Sequence, residues 1–232
     1  MATADATECG RTLVLAPHPD DETIGCGGLL ALLGRAGLPV HVVLISDGAG
    51  SHPQSRAYPA PRLRALRWSE MIAALRELGH QPNILSALGL PDGGVPTACD
   101  PGFGTAVDML TRIVKRFRPD TVVMPCRDDA HPDHRAAYAL GTAVCRSSAP
   151  HARRLEYPVW GGGARHGPVW QLDISAVLDN KRRALSHHRS QQGRIVNDDP
   201  QGFVLPQELL ERCALPVEIY FDITSEIADG HR

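Results

Sequence analysis

The chain has 232 residues, of which 43% are hydrophobic, and a formal net charge of −2. This length supports one α/β domain with a full core, so we predict a single domain over residues 1–232. Lysine and arginine are spread along the chain rather than gathered into basic blocks, which argues against nucleic-acid binding. No apolar run approaches the roughly 20 residues of a membrane-spanning helix, and the first residues do not resemble a signal peptide. We therefore predict a cytoplasmic protein.

The six cysteines are scattered along the chain without a CxxC pair. This spacing argues against a structural zinc knuckle and against a disulfide framework. We expect most of these thiols to be buried as small hydrophobic groups.

Apolar strands alternate with helical patterns through the first two thirds of the chain. The predicted strands are short, rich in β-branched residues and nearly continuously apolar, as in a parallel sheet buried on both faces; they cover 12–17, 40–46, 83–88 and 120–125. The predicted helices cover about 24–36, 62–79, 104–117 and 134–146. This alternation predicts a Rossmann-like, doubly wound α/β fold with a mostly parallel sheet and helices on both faces.

The last third of the chain is less regular. Three further strands are predicted at 154–160, 169–175 and 216–223, with a helix at about 176–188. Segments 48–61 and 161–167 are rich in Gly, Pro and small polar residues and are predicted loops. Because both follow strand ends, they are candidate pocket walls, with plain surface connections as the alternative.

A polar cluster follows each of the first four predicted strands. The clusters are 18–22, 46–48, 90–94 and 126–134. In doubly wound sheets, ligands bind beyond the carboxyl ends of the strands. We therefore expect all four clusters to face one rim of the sheet.

Four ionisable residues crowd the first of these clusters, namely His18, Asp20, Asp21 and Glu22. Like charges this close repel one another unless a positive charge lies between them, which indicates a metal ion. Zinc in hydrolytic sites takes three protein ligands from His, Asp or Glu and leaves one position for water. His18 and Asp21 are three residues apart across a strand-to-helix turn, so both can reach one ion.

The third ligand is expected from the HPDH segment at 131–134. His131 and His134 share one face of a predicted helix, and the residues alone leave open which of them ligates. Asp20 can then accept the proton of the attacking water, and the free histidine can stabilise the oxyanion. This pattern predicts a metal-assisted amide or ester hydrolase.

The same acidic residues have a structural alternative. Asp20 or Asp21 can cap the first helix, and Asp133 or His134 can cap the helix of the second segment. Two segments that both pair His with Asp at the ends of predicted parallel strands favour the metal site.

A nucleotide-binding module is a second class of function. GCGG at 25–28 opens a predicted helix after a strand, and Asp47 ends the next strand. The G-x-G-x-x-G pattern is not met, and the carboxylates at 20–22 would repel a pyrophosphate. This alternative predicts binding of a dinucleotide such as NAD without a metal, whereas the hydrolase predicts stoichiometric zinc.

The segments PHPDDETIGCGG (17–28) and HPDHRAA (131–137) resemble the two motifs of the PIG-L/LmbE-like zinc-dependent N-acetylglucosaminyl deacetylase family. Further similarity lies at 67–79, 90–95 and 181–191. The resemblance implies one LmbE-like deacetylase domain. It also implies that the enzyme removes the N-acetyl group from an N-acetylglucosamine-containing conjugate, giving a free amino sugar and acetate.

The resemblance also assigns roles to residues. It implies Zn2+ as cofactor, with another divalent metal such as Fe2+ open, and makes His18, Asp21 and His134 the ligands. It makes Asp20 the general base and His131 the group that polarises the carbonyl oxygen. The candidate substrate-binding residues are Arg67, Asp92, Asp129 and His188.

Scaffold roles are the alternative for these four residues. Arg67 can pair with Glu70 or Asp92 within the fold, Asp129 can orient His131, and His188 can serve helix packing.

The identity of the conjugate is left open by the sequence. A soluble small-molecule amino-sugar conjugate is favoured, and the resemblance is compatible with a homo-oligomer. The alternative within the same chemistry is a metal-dependent amidase acting on a non-sugar or thiol-conjugate amide. Specificity is expected in the loops 48–61 and 161–167, whose roles the sequence does not define.

Overall fold

The structure is a computed structural model that describes residues 5–161 and 167–225. The strands are β1 (Thr12–Ala16), β2 (Val40–Ser46), β3 (Leu85–Leu90), β4 (Thr121–Pro125), β5 (Arg153–Tyr157), β6 (Val169–Asp173) and β7 (Val217–Asp222). The α-helices are α1 (Asp21–Arg35), α2 (Ala60–Glu77), α3 (Phe103–Phe117), α4 (Pro132–Ser148), α5 (Leu178–His187) and α6 (Gln207–Cys213). None of the helices in these two ranges is both long and apolar enough to cross a membrane.

The seven strands form one sheet in the order β3-β2-β1-β4-β5-β7-β6. The first five strands pair in parallel, β7 runs antiparallel to β5, and β6 runs antiparallel to β7. The predicted mostly parallel sheet is therefore confirmed.

Helices cover both faces of this sheet. One core contains residues of α1, α2 and α5, and a second core contains residues of α3 and α4. Along β1, Val14 points into the first core, whereas Leu13 and Leu15 point into the second, because successive side chains of a strand face opposite sides. The Rossmann-like doubly wound fold is confirmed.

The third predicted strand differs from expectation in position and in burial. Residues Pro82–Ile84 form a 3-10 turn, and strand pairing begins at Leu85. Within β3, Leu88 is buried, while the remaining residues are exposed or half-buried. The prediction that this strand is buried on both faces is wrong because β3 lies at the edge of the sheet.

The GCGG segment serves close packing inside the fold. A Cβ atom added to Gly25 would lie 2.1 Å from the Tyr157 ring, and one added to Gly28 would lie 2.4 Å from the Ile174 side chain. These glycines therefore let α1 approach its neighbours more closely than any larger residue would. Close packing therefore explains the glycines of this segment, and no phosphate-binding role is needed to explain them.

Candidate active site

A cavity of about 560 Å³ opens at the carboxyl ends of the parallel strands. Its wall includes His18 after β1, Gly50 after β2, Asp92 after β3 and His131 after β4. Members of three of the four polar clusters thus meet at one rim, as parallel strands predict. The cluster 46–48 does not line the cavity: Ser46 and Asp47 border a smaller pocket, where Asp47 pairs with Arg64.

Asp21 joins the two sequence motifs. Its Oδ2 atom lies 3.1 Å from His18 Nδ1 and 3.1 Å from His134 Nε2. Asp21 opens α1, and His134 lies in the first turn of α4. Ring nitrogens of His18, His131 and His134 also lie within 4.8 Å of one another.

These positions fit a divalent metal ion. Zinc bonds of about 2.0–2.2 Å in a tetrahedral arrangement place neighbouring ligand atoms roughly 3.3 Å apart, close to the two distances at Asp21. His134 is fully buried, and neither of its ring nitrogens has a hydrogen-bond partner of good geometry. Nitrogen atoms buried in this way are ordinarily paired, so a metal bond would satisfy Nε2.

The electrostatics of the site also favour a positive charge at this position. Burial acts to lower the pKa of His134, but Asp21 and Asp129 overcome it and raise that pKa to about 9. Burial acts to raise the pKa of Asp21, yet His134 and His18 hold it well below its ordinary value. A cation bound between these groups would supply the charge that the carboxylates demand.

The second nitrogen of each buried histidine faces another carboxylate. His18 Nε2 lies 3.1 Å from Asp133 Oδ2 and 3.3 Å from Asp92 Oδ1. Asp133 is itself held by the backbone N–H groups of Gly93 and Val95. A carboxylate on the far nitrogen fixes the orientation of a metal-binding histidine. The sequence indicated Asp133 only as a candidate helix cap, but the N-cap of α4 is His131 and the carboxylate of Asp133 lies beside His18 instead.

Asp129 holds three parts of the site together. Its Oδ2 atom lies 3.3 Å from His134 Nδ1 and accepts the backbone N–H of Trp160. Its Oδ1 atom accepts the backbone N–H of His131. Asp129 is almost fully buried, and these contacts position the histidines instead of presenting the carboxylate to a substrate.

Asp20 occupies an unusual backbone conformation at the edge of the cavity. It has φ of 152°, and its side chain makes no capping hydrogen bond to α1. Such a conformation costs free energy in a non-glycine residue and is typical of functional sites. Burial raises the pKa of Asp20 to about 7, against the opposing effect of Arg67. Glu22 is fully buried and accepts the backbone N–H of Asp20 and the hydroxyl of Thr23.

Arg67 and Asp92 form a charged wall of the cavity. Arg67 Nη2 lies 3.3 Å from Asp20 Oδ2, and Nη1 lies 3.7 Å from Asp92 Oδ2. Arg67 also donates to the carbonyl oxygens of Gly48 and Pro19. Of the two scaffold partners considered from sequence, the structure places Asp92 beside Arg67.

Glu70 has different partners. It accepts hydrogen bonds from the N–H and hydroxyl of Ser190. These bonds tie α2 to the segment after α5.

His188 does not reach the cavity. It is fully buried, its Nε2 lies 3.2 Å from Thr23 Oγ1 and 3.6 Å from Glu22 Oε1, and burial lowers its pKa to about 3. We therefore leave His188 out of the substrate contacts proposed below. Gln191, three residues later, does line the cavity.

Two aromatic residues of the cavity wall, Trp160 and Phe203, were not singled out from the sequence. Trp160 ends a predicted strand, and Phe203 lies in a segment without hydrophobic periodicity, so neither carried a signal of function. The predicted loop 161–167 follows Trp160, and residues 162–166 lie outside the described residues.

Comparison with known proteins gives consistent matches. The profile of the family described as PIG-L, GlcNAc-PI de-N-acetylase, matches residues 13–145. A diacetylchitobiose deacetylase of Thermococcus kodakarensis is 29% identical over 194 residues, covering 78% of this chain and 70% of that protein. A 1D-myo-inositol 2-acetamido-2-deoxy-alpha-D-glucopyranoside deacetylase of Rhodococcus erythropolis is 31% identical over 237 residues, covering 78% of this chain and 81% of that protein.

A solved structure has the same architecture. The N,N′-diacetylchitobiose deacetylase from Pyrococcus horikoshii superposes with a TM-score of 0.71 at 21% identity, covering 97% of this chain and 87% of that one. This match supports the fold described above.

Proposed function

The chain belongs to the PIG-L (GlcNAc-PI de-N-acetylase) family, and from this premise we propose that it is a metal-dependent N-deacetylase. Its substrate is an N-acetylglucosamine-containing conjugate, and its products are the free amino sugar and acetate. The observation that carries the proposal is that His18, Asp21, Asp20 and His131 line one cavity, while the buried His134 contacts Asp21 from behind its wall. The names of the matched deacetylases support the substrate class.

His18, Asp21 and His134 would hold the metal, through Nδ1, a carboxylate oxygen and Nε2 respectively. Nitrogen and carboxylate ligands of this kind suit Zn2+, and Fe2+ is the alternative. When bound, the metal polarises the amide carbonyl and makes water a better nucleophile at neutral pH.

Asp20 acts as the general base in this proposal. Of the three carboxylates that line the cavity, Asp21 and Asp92 contact His18, whereas Asp20 pairs with Arg67. Asp20 is therefore free to take a proton from water as the oxygen attacks the carbonyl carbon. Burial raises the pKa of Asp20, and a carboxylate with a raised pKa accepts a proton more readily.

His131 stabilises the negative charge that develops on the carbonyl oxygen. Its Nδ1 accepts the backbone N–H of Asp133, so the proton of the neutral ring is on Nε2, which can donate to that oxygen. Burial and the neighbouring His18 and His134 lower the pKa of His131, which favours this neutral form. Asp20 then passes the proton it has taken to the leaving nitrogen as the C–N bond breaks, which releases the free amine and acetate.

Arg67 and Asp92 are the proposed contacts for the sugar hydroxyls. A guanidinium donates hydrogen bonds and a carboxylate accepts them, so together they match hydroxyl groups, which do both. Both side chains line the cavity beside Asp20.

The proposal is tested by measuring acetate release from a panel of N-acetylglucosaminides. The protein is loaded with one equivalent of Zn2+ or Fe2+, and a chelator-treated sample is the control. Release that depends on the metal supports the deacetylase. If a protein that holds one metal ion releases no acetate from any of these compounds, the result would contradict the sugar substrate and favour the non-sugar amidase.

We also propose a cytoplasmic location. All six cysteines are unpaired in the structure, and five of them are buried. Free thiols of this kind are typical of a reducing compartment. Fractionation of the producing cells tests this proposal, and recovery of the protein outside the cytoplasm would contradict it.

A further inference from the structure

Two aromatic rings form a rim of the cavity that the proposed reaction leaves unused. Trp160 and Phe203 meet edge to face, with ring centroids 5.6 Å apart at an interplanar angle of 85°. Both rings line the same cavity as His18 and Asp21. Phe203 nevertheless keeps 37% of its surface exposed.

Trp160 is fixed next to the reacting groups. Its backbone N–H donates to Asp129 Oδ2, and the other oxygen of Asp129 accepts the N–H of His131. Ala130 and Pro132, the two neighbours of His131, line the cavity as well. The apolar wall therefore begins at His131 itself.

Phe203 is held on the other side of the rim by a rigid connection. Its backbone N–H donates to Ser51 O at 2.7 Å. Asp199 accepts the N–H of Gln54, and the N–H of Leu205 donates to Gln191 O. The segment that carries Phe203 is thus tied down on both sides of the ring.

Asp198 strengthens the same connection. It accepts the hydroxyl of Ser55 and the backbone N–H groups of Arg56 and Ala57. An aromatic ring held exposed by such a network is ready to bind a ligand without the entropic cost of ordering its segment.

The cavity lining therefore contains two chemically different groups of residues. Arg67 and Asp92 are the charged pair proposed to bind the amino sugar. Ala130, Pro132, Trp160 and Phe203 carry no charge and line the same cavity. A cavity of about 560 Å³ lies within the range of roughly 300–1,000 Å³ for small-molecule sites, so it can take a sugar together with the group attached to it.

We infer that the Trp160–Phe203 rim binds the group attached to the amino sugar, and that this group presents an uncharged, apolar ring face. This inference rests on the proposed deacetylase function. Aromatic side chains offer a flat apolar surface for such a ring, and the C–H face of a second pyranose provides the same chemistry as an aryl group. A phosphate or carboxylate bound at this rim would lose water without gaining a charged side chain from Ala130, Pro132, Trp160 or Phe203, which would oppose its binding.

Binding is measured apart from turnover, with metal-loaded Asp20→Asn protein and titration calorimetry. The ligands are the methyl and phenyl N-acetyl-β-glucosaminides, N,N′-diacetylchitobiose and N-acetylglucosamine 1-phosphate. We expect the phenyl glycoside, the chitobiose or both to bind at least tenfold more tightly than the methyl glycoside. A gain by the phenyl ligand alone assigns an aryl group, and a gain by chitobiose alone assigns a second sugar ring.

Phe203→Ala in the same background should reduce this preference to less than threefold. Phe203 is partly exposed, so its removal is not expected to unfold the protein. Val204→Ala is the matched control, because Val204 is 46% exposed and is not among the cavity-lining residues. It should retain the tenfold preference.

Three results would overturn the inference. They are equal binding of all uncharged glycosides, tightest binding of the 1-phosphate, and a preference that survives Phe203→Ala. Failure of this inference is distinguishable from failure of the proposed function. Acetate release by the wild type without a ring preference would retain the deacetylase, whereas a ring preference without acetate release would retain the rim and reject the deacetylase.

Discussion

Substitution of Asp20 by asparagine separates the general base from the metal ligands. Asparagine keeps the size of the side chain but cannot accept the proton of the attacking water. Asp20 lies against Arg67, whereas Asp21, the proposed metal ligand, contacts His18 and His134. We therefore expect Asp20→Asn to lose turnover while it retains one equivalent of metal.

The size of the loss follows from the role of the residue. A positioned general base contributes roughly 10²–10⁴-fold to rate, which corresponds to about 2.7–5.4 kcal/mol in activation free energy. The effect on folding should be smaller. In the variant, Arg67 still donates to the carbonyl oxygens of Gly48 and Pro19 and still lies beside Asp92. Weakening of the single contact between Arg67 and residue 20 should therefore lower the free energy of unfolding by about 1 kcal/mol.

The assay compares kcat for acetate release, metal content and thermal unfolding in the same preparations. Asp47→Asn is the matched control, because Asp47 also follows a parallel strand but pairs with Arg64 outside the cavity. It should keep wild-type kcat. Loss of metal together with activity in Asp20→Asn would make Asp20 a ligand, and a kcat within tenfold of wild type would refute its role as base.

Three further predictions concern the metal site and the core. Asp133→Asn should weaken metal binding by roughly 10–100-fold, because it replaces the carboxylate that contacts His18 Nε2 with a neutral amide. His134→Ala should weaken metal binding further. Competition with a chelating dye measures the metal affinity of both variants. Gly28→Ala should lower the free energy of unfolding by about 1–3 kcal/mol, since the added Cβ meets Ile174 at 2.4 Å. Gly104→Ala in α3 should raise the free energy of unfolding by up to about 1 kcal/mol, because a Cβ there meets nothing within 4 Å. Urea unfolding of both glycine variants measures these opposite effects. Lys181→Met should cost about 3–5 kcal/mol by leaving the buried Glu218 without its cation, and the double variant Lys181→Met/Glu218→Gln should recover part of that loss.

The outcome of each prediction can contradict its reasoning. Unchanged metal affinity in Asp133→Asn would mean that the carboxylate does not orient His18. Equal stability of the two glycine variants would mean that α1 can move away from Ile174. A double variant no more stable than Lys181→Met would show that the unpaired charge of Glu218 is not the cause of the loss.

The sequence determined the architecture and the place of the site. Continuous apolar runs alternating with helices can be buried only in a parallel sheet covered on both faces, and parallel strands bring their carboxyl ends to one edge. The meeting of 18–22 with 131–134 was therefore predictable from local patterns. The burial of β3 was not, because a short apolar run does not reveal whether it lies at the centre or the edge of a sheet.

Only the tertiary structure decided which groups face one another. The residues alone left His131 and His134 equivalent, and the structure places His134 against Asp21 while His131 accepts the N–H of Asp133. It also buries His188 behind the cavity and brings Phe203 to Trp160. Such contacts join residues far apart in the chain, and their geometry depends on how whole helices and loops pack, which no local pattern of residue types encodes.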